Sequence, residues 1–132
     1  MGRILGIDVG DRRTGVAVSD VVGIACRPLT VIEETDRQAL GSEVLRIAAE
    51  HEATAVVVGI PRPLRGGDSR QAARSREVVG LLRNTATIPI VTWDERFTTK
   101  LARELKPGTG HADAVAAAFM LQNYLDAKWG TS

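Results

Sequence analysis

One stretch constrains this chain more than any other: Ile4-Leu5-Gly6-Ile7-Asp8-Val9-Gly10-Asp11-Arg12-Arg13-Thr14-Gly15-Val16-Ala17-Val18-Ser19-Asp20. It predicts a β-hairpin, with a short apolar strand, a turn at Gly10-Asp11 and a second strand from Thr14 to Ser19. Asp8 falls near the end of the first strand, between Ile7 and Val9. A carboxylate is costly to bury there unless a cation or a set of hydrogen-bond donors compensates it. Asp8 therefore reads either as part of a metal or phosphate site, or as a turn residue bonded to the backbone just ahead. The glycines at 6, 10 and 15 favour the first reading, because they let the backbone approach itself or a ligand closely. Gly10 can also take positive φ at no steric cost.

Beyond the hairpin, Val22 to Ile32 reads as a third strand, with Gly23 at its entry and Pro28 marking an edge or a bulge. Three strands with tight links make an antiparallel meander. Helical periodicity follows: Asp36 can cap a helix whose Leu40, Val44, Ile47 and Ala48 share one face, ending near His51-Glu52. Thr54 to Gly59 is a nearly continuous apolar run, as expected of a central strand covered on both faces. Asp68 or Ser69 then caps a second helix with Ser75, Val78, Val79 and Leu82 inward. Ile88 to Trp93 is the next buried strand, and Asp94-Glu95-Arg96 lies at its C-terminal end. Thr98 or Thr99 opens a short third helix, broken by Pro107-Gly108-Thr109-Gly110. A last helix runs from about Ala112-Asp113 to Ala127. The expected fold is α/β, a mixed five-stranded sheet with helices on both faces, in one domain spanning residues 1–132.

Composition excludes several classes. The single Cys26 rules out an intramolecular disulfide and a multi-cysteine zinc site, and His51 and His111 are too few for a histidine-rich centre. No apolar run approaches the ~18 residues needed to span a bilayer, and the N-terminus has no signal-peptide pattern, so the expected location is cytoplasmic. Net charge is only +1, yet residues 62–76 hold the five arginines Arg62, Arg65, Arg70, Arg74 and Arg76 against the lone acid Asp68 up to Arg76. Such a local patch can hold phosphates. With 4% aromatic residues, a surface built on base stacking is not expected.

Three acids occupy positions that could converge: Asp8 on the first strand, Glu95 just past the fifth, and Asp113 in the first turn of the last helix. Ligands of open α/β sheets gather beyond the carboxyl ends of the strands. Oxygen-only ligation by carboxylates suits Mg²⁺ or Mn²⁺. Two such ions can activate a water and stabilise the leaving oxygen of a phosphodiester. Each acid also has a plainer reading. Asp113 could be a helix-start residue favoured by the dipole, and Glu95 a surface partner of Arg96 or Arg103.

The stretch from Ile7 to Asp20 resembles the N-terminal signature of the YqgF (RuvX) family. Val57-Val58-Gly59-Ile60-Pro61, the Gly66-Gly67 loop, Asp94-Glu95-Arg96-Phe97-Thr98-Thr99 and the helix from Asp113 through Leu121-Gln122-Asn123-Tyr124-Leu125 resemble its later motifs, in order. The resemblance implies an RNase H-like fold and a divalent-metal nuclease, either processing the 5′ end of pre-16S rRNA or resolving Holliday junctions. It implies that Asp8, Glu95 and Asp113 are the catalytic acids, holding Mg²⁺ or Mn²⁺, with an activated water as in-line nucleophile. Arg96 would orient Glu95 or contact phosphate, and Thr98 would contact phosphate near a helix start. From charge and position alone, Arg12, Arg62, Arg65, Arg70 and Arg74 would track the nucleic-acid backbone. Leu105 to Ala112 is shorter than the family's usual basic stretch, and His111 stands there as a phosphate contact or proton carrier, or as an exposed helix-start residue. Asp94, Asp11 and Asp20 are the options for a fourth acid, with Asp94 preferred. Partners are RNA or branched DNA, and the chain acts as a monomer or homodimer.

Two other classes compete. The hairpin also resembles the first phosphate loop of sugar kinases and heat-shock ATPases, but those enclose nucleotide between two such domains, for which 132 residues leave no room. A nucleic-acid-binding factor with a degraded site is the non-enzymatic option. Presence of all three acids speaks against it.

Overall fold

The computed structural model describes residues 2–62, 70–95 and 110–129. Within them the chain runs β1 (Arg3–Val9), β2 (Thr14–Ser19), β3 (Cys26–Ile32), α1 (Arg37–Glu50), β4 (Ala53–Pro61), α2 (Arg70–Thr85), β5 (Ile90–Glu95) and α3 (Gly110–Trp129). The strands form one sheet in the order β3-β2-β1-β4-β5. The meander is antiparallel, while β4 joins β1, and β5 joins β4, in parallel through the α1 and α2 crossovers. The expected mixed five-stranded α/β sheet is the fold observed.

Side-chain alternation divides the core between the two faces of the sheet. On one face, Leu40, Val44 and Ile47 of α1 and Val78 and Leu82 of α2 pack on Leu5, Ile7, Val16, Val58 and Ile60. On the other, Ala117, Met120, Leu121 and Leu125 of α3 cover Ile4, Ala17 and Val57. Helix α3 lies close because β1 is bare beneath it. A Cβ on Gly6 would stand 2.9 Å from the Cβ of Leu121. Both sides of the central strands β1 and β4 are thereby covered, which is why β4 reads as a continuous apolar run.

Several boundaries differ from the sequence expectation, each for a local reason. Strand β3 begins at Cys26 rather than Val22. The carboxylate of Asp20 accepts from the N–H groups of Gly23 (2.6 Å), Ile24 (3.0 Å) and Ala25 (3.3 Å) and curls that segment into a turn. Gly23 sits there at φ 82°. Val21, Val22 and Ile24 consequently stay exposed instead of forming a strand. Pro28 marks both features anticipated for it, since β3 is the sheet edge and a bulge falls where Val16 and Ala17 face Thr30 and Pro28. Strand β5 extends through Glu95, so this acid ends the strand rather than following it. Asp36 caps α1 as expected, accepting from Ala39 N at 2.9 Å, and His51 closes the helix. The short helix expected from Thr98, and the Asp68 or Ser69 cap of α2, lie outside the described residues. No helix among the described residues is long and apolar enough to cross a membrane.

Candidate active site

Asp8 stands on the α3 side of β1, two residues beyond Gly6 and directly opposite Gly15 of β2. Gly15 is essential to what happens above it. A side chain there would run into the backbone carbonyl of Asp113, so the first turn of α3 rests on the bare hairpin. That contact carries Asp113 to the neighbourhood of Asp8. Gly59 does the equivalent on β4. A Cβ on it would lie 2.6 Å from Oε2 of Glu95, whose carboxylate folds back over the strand. Glu95 is only 5% exposed, while Asp8 and Asp113 are half-buried.

The electrostatics report the same proximity. Burial pushes the Glu95 carboxyl up to about 9, with the negative charge of Asp8 adding to the effect. Burial likewise raises Asp8 to about 6, helped by the charge of Asp113. Asp113 is raised by burial and pulled back by Arg13. Asp8 is therefore the common neighbour, repelling Glu95 on one side and Asp113 on the other. Among the described residues no three acidic, histidine or cysteine side chains gather as the ligands of a single ion. Each neighbouring pair is the unit: Asp8 with Glu95, and Asp8 with Asp113. These are hard oxygen donors, the donor chemistry that divalent Mg²⁺ or Mn²⁺ satisfies.

The rim is built by the β1–β2 turn. Gly10 N–H donates to Arg13 O at 2.9 Å, and a Cβ on Gly10 would stand 2.5 Å from that oxygen. Gly10 is thus needed for close approach. The anticipated positive φ is absent from it. Helix α2 braces the turn, since Gln71 Nε2 donates to Val9 O at 3.0 Å and Arg74 pairs with Asp11. Gly10, Asp11, Arg12, Arg13 and Asp113 line a surface recess of about 420 Å³. Arg13 reaches both Glu33 and Asp113, each at 3.9 Å.

The structure sets Asp8 beside Glu95 and beside Asp113, and Arg12 lines the recess with Asp113. Arg70 opens α2 and is exposed. Arg74 is largely enclosed and holds α2 to the hairpin. Arg62 pairs with Asp94 at 3.1 Å. None of the options for a fourth acid joins the group. Asp94 alternates to the other face of β5 from Glu95, Asp11 is held by Arg74, and Asp20 is bonded into its own turn. Arg65, Arg96 and Thr98, and the side chain of His111, lie outside the described residues. Sequence reasoning passed over Arg13 in favour of its neighbour, and saw no role for Gly59 beyond a motif. The contact that explains Gly59 comes from 36 positions away, at Glu95.

Comparison with known proteins shows the family of the chain. Residues 2–127 match the family model described as "RuvX: Holliday junction resolvase". A protein of Chloroflexus aggregans named "Putative pre-16S rRNA nuclease" is 38% identical, over 95% of this chain and 94% of its own length. A protein of the same name from Fusobacterium nucleatum is also 38% identical, over 97% and 99%. Among solved structures, Thermus thermophilus RuvC in complex with a Holliday junction substrate superposes with a TM-score of 0.63 at 18% identity, covering 99% of this chain and 98% of that one. The fowlpox virus resolvase with its junction DNA gives 0.54 at 8% identity, covering 97% and 99%. These structures share the RuvC-like RNase H fold. With nearly the full length matched by the model and by relatives well above 30% identity, the chain belongs to the RuvX family.

Proposed function

We propose that this protein is a divalent-metal-dependent nuclease whose substrate is the 5′ end of pre-16S rRNA, with residues 1–132 acting as one domain. The observation that carries the reading is the position of Asp8 between Glu95 and Asp113, on a sheet cleared by Gly15 and Gly59. Burial beside a second carboxylate raises the proton affinity of Asp8 and of Glu95, which gains nothing for the fold unless positive charge offsets it. Asp8, Glu95 and Asp113 would hold Mg²⁺ or Mn²⁺, Asp8 contributing to both pairs. When bound, such ions activate water and offset the charge that develops on the leaving oxygen. The chain's own residues do the rest. Glu95 is kept in place and away from water under α3, Asp113 stands at the open rim, and Arg12, Arg62 and Arg70 offer positive charge to backbone phosphates. The curated relatives' name supports RNA as substrate.

The family model's description favours a second reading, resolution of branched DNA. Paired symmetric cuts in a junction require two sites and hence a dimer. The experiment compares a structured RNA bearing a single-stranded 5′ extension with a synthetic four-way DNA junction, in Mg²⁺ and in Mn²⁺. Cutting of the RNA alone, lost by at least about 10³-fold in Asp8→Asn, is the expected result. Paired nicks in the junction would transfer the assignment to recombination. A folded protein that binds both substrates and cuts neither would sink the nuclease reading.

A further inference from the structure

We propose that the outer edge of β3, with the groove between it and α1, binds an extended lysine- or arginine-rich segment of a partner protein, which adds to the sheet as a further strand. Strand β3 ends the sheet, and among the described residues only β2 pairs with it. Alternate N–H and C=O groups of an antiparallel edge strand point away from its neighbour, which makes the edge a template for another chain. Proteins usually blunt such edges with proline, a bulge or charge. Here the blunting is confined to the first half of the strand. Pro28 lacks a donor, the bulge falls beside it, Arg27 is charged, and Cys26 N–H already donates to Gln122 Oε1 at 3.2 Å. Leu29-Thr30-Val31-Ile32 carries neither charge nor proline, and no further strand lies beyond it among the described residues.

Beside that second half runs a groove of about 700 Å³. Leu29, Ile32 and Ile47 give it an apolar floor. Its far wall is a stripe of α1 in which Ala39, Glu43, Arg46 and Glu50 recur at helical spacing. Glu33, Glu34, Glu43 and Glu50 line it against the single arginine Arg46. That arginine is held by Glu43 at 2.6 and 3.0 Å and by Glu50 at 2.8 Å. On a chain of net charge +1, the groove is therefore an anionic strip. Its charge selects the occupant. A nucleic-acid backbone is repelled there, and a second copy paired edge to edge would set its own four glutamates beside the first four. An added strand points every second side chain toward α1, so lysine or arginine at those positions meets the glutamates while backbone pairing supplies affinity. Ile32 pairs with Thr14, which faces Val9, so the groove reaches the end of the sheet that holds Asp8. Basic arms are common on proteins that hold nucleic acid, and docking would bring the candidate acids to that nucleic acid. This consequence, unlike the docking itself, rests on the nuclease reading above.

The test needs no metal and no turnover. A fluorescein-labelled peptide, Lys-Thr-Lys-Val-Lys-Thr-Lys, is titrated into the whole protein and followed by anisotropy. Two companion peptides carry glutamate in place of lysine, or keep the lysines with a methyl group on every backbone nitrogen. Wild type should bind the first peptide at least about tenfold more tightly than either companion. A protein carrying both Glu43→Gln and Glu50→Gln should bind it about tenfold more weakly. One carrying Glu52→Gln and Glu77→Gln, which removes the same charge outside the groove, should stay within about twofold of wild type. In amide spectra of the labelled protein, the peptide should shift Leu29 to Ile32 and the facing residues of α1. Equal binding of the methylated peptide would reduce the effect to charge attraction and overturn the proposal. Binding unmoved by Glu43→Gln with Glu50→Gln would overturn it too. A dimer that forms with rising concentration and shifts the same β3 amides would assign the edge to a second copy, against the proposal. So would RNA shifting those amides. Failure of wild type to cut any substrate would count against the nuclease and leave the docking result standing.

Discussion

Glu95 is an acid held where its charge is unwelcome, and that has a measurable cost. Its carboxyl ionises near 4.5 in an unfolded chain and near 9 in the folded protein. Between those values the folded state keeps a proton that the unfolded state releases, so stability falls as pH rises through this window. Asp8, moved from 3.8 to about 6, acts in the same direction over the lower part of it. Thermal unfolding of the metal-free protein should therefore show a decreasing Tm from about pH 5 to pH 9. Added Mg²⁺ should flatten the trend by supplying the missing positive charge. Glu95→Gln should raise the metal-free Tm at pH 8 by about 3–8 °C, on the order of 1–2 kcal/mol, while abolishing cleavage. A Tm unchanged by pH or by this substitution would mean that Glu95 is not under electrostatic strain.

At the level of elements, the site depends on how closely α3 settles on the hairpin. Its first turn touches β2 at Gly15 through backbone, which cannot rotate out of the way of a new methyl group. Gly15→Ala should cost about 3 kcal/mol and displace the start of α3, weakening cleavage together with stability. Denaturant melts and turnover on the same preparations check this, and a stable, fully active Gly15→Ala would refute the contact. The elements themselves were legible from pattern. Alternation gave the hairpin, the 3.6 period gave α1, and the apolar run gave β4. The errors came from polar groups acting at short range. Val21, Val22 and Ile24 have strand-like side chains, but the Asp20 carboxylate captures three backbone N–H groups and turns the chain before pairing can begin. The acids could be singled out as candidates because carboxylates at strand ends and at a helix start can converge beyond the sheet. The glycines that seat them were not, because the atoms that need the space belong to distant strands and helices.

For the whole molecule, the sheet separates the larger core from the candidate site. One face is filled by α1 and α2 over the larger core, and the other carries α3 and the acids. This division gives Gly59 a practical consequence. The atom crowding a new side chain there is the far end of Glu95, a flexible carboxylate, with Met120 Cγ next at 3.0 Å. Gly59→Ala should swing Glu95 aside with little loss of stability, leaving every charge on the protein unchanged. It should bind RNA with the salt dependence of wild type and fail to cut it, as paired filter-binding and cleavage assays would reveal. Charge-removing substitutions of the acids alter attraction to nucleic acid as well as turnover. A single methyl group at Gly59 would instead yield a substrate trap, a protein that halts on its natural target inside a cell and lets that target be recovered and sequenced.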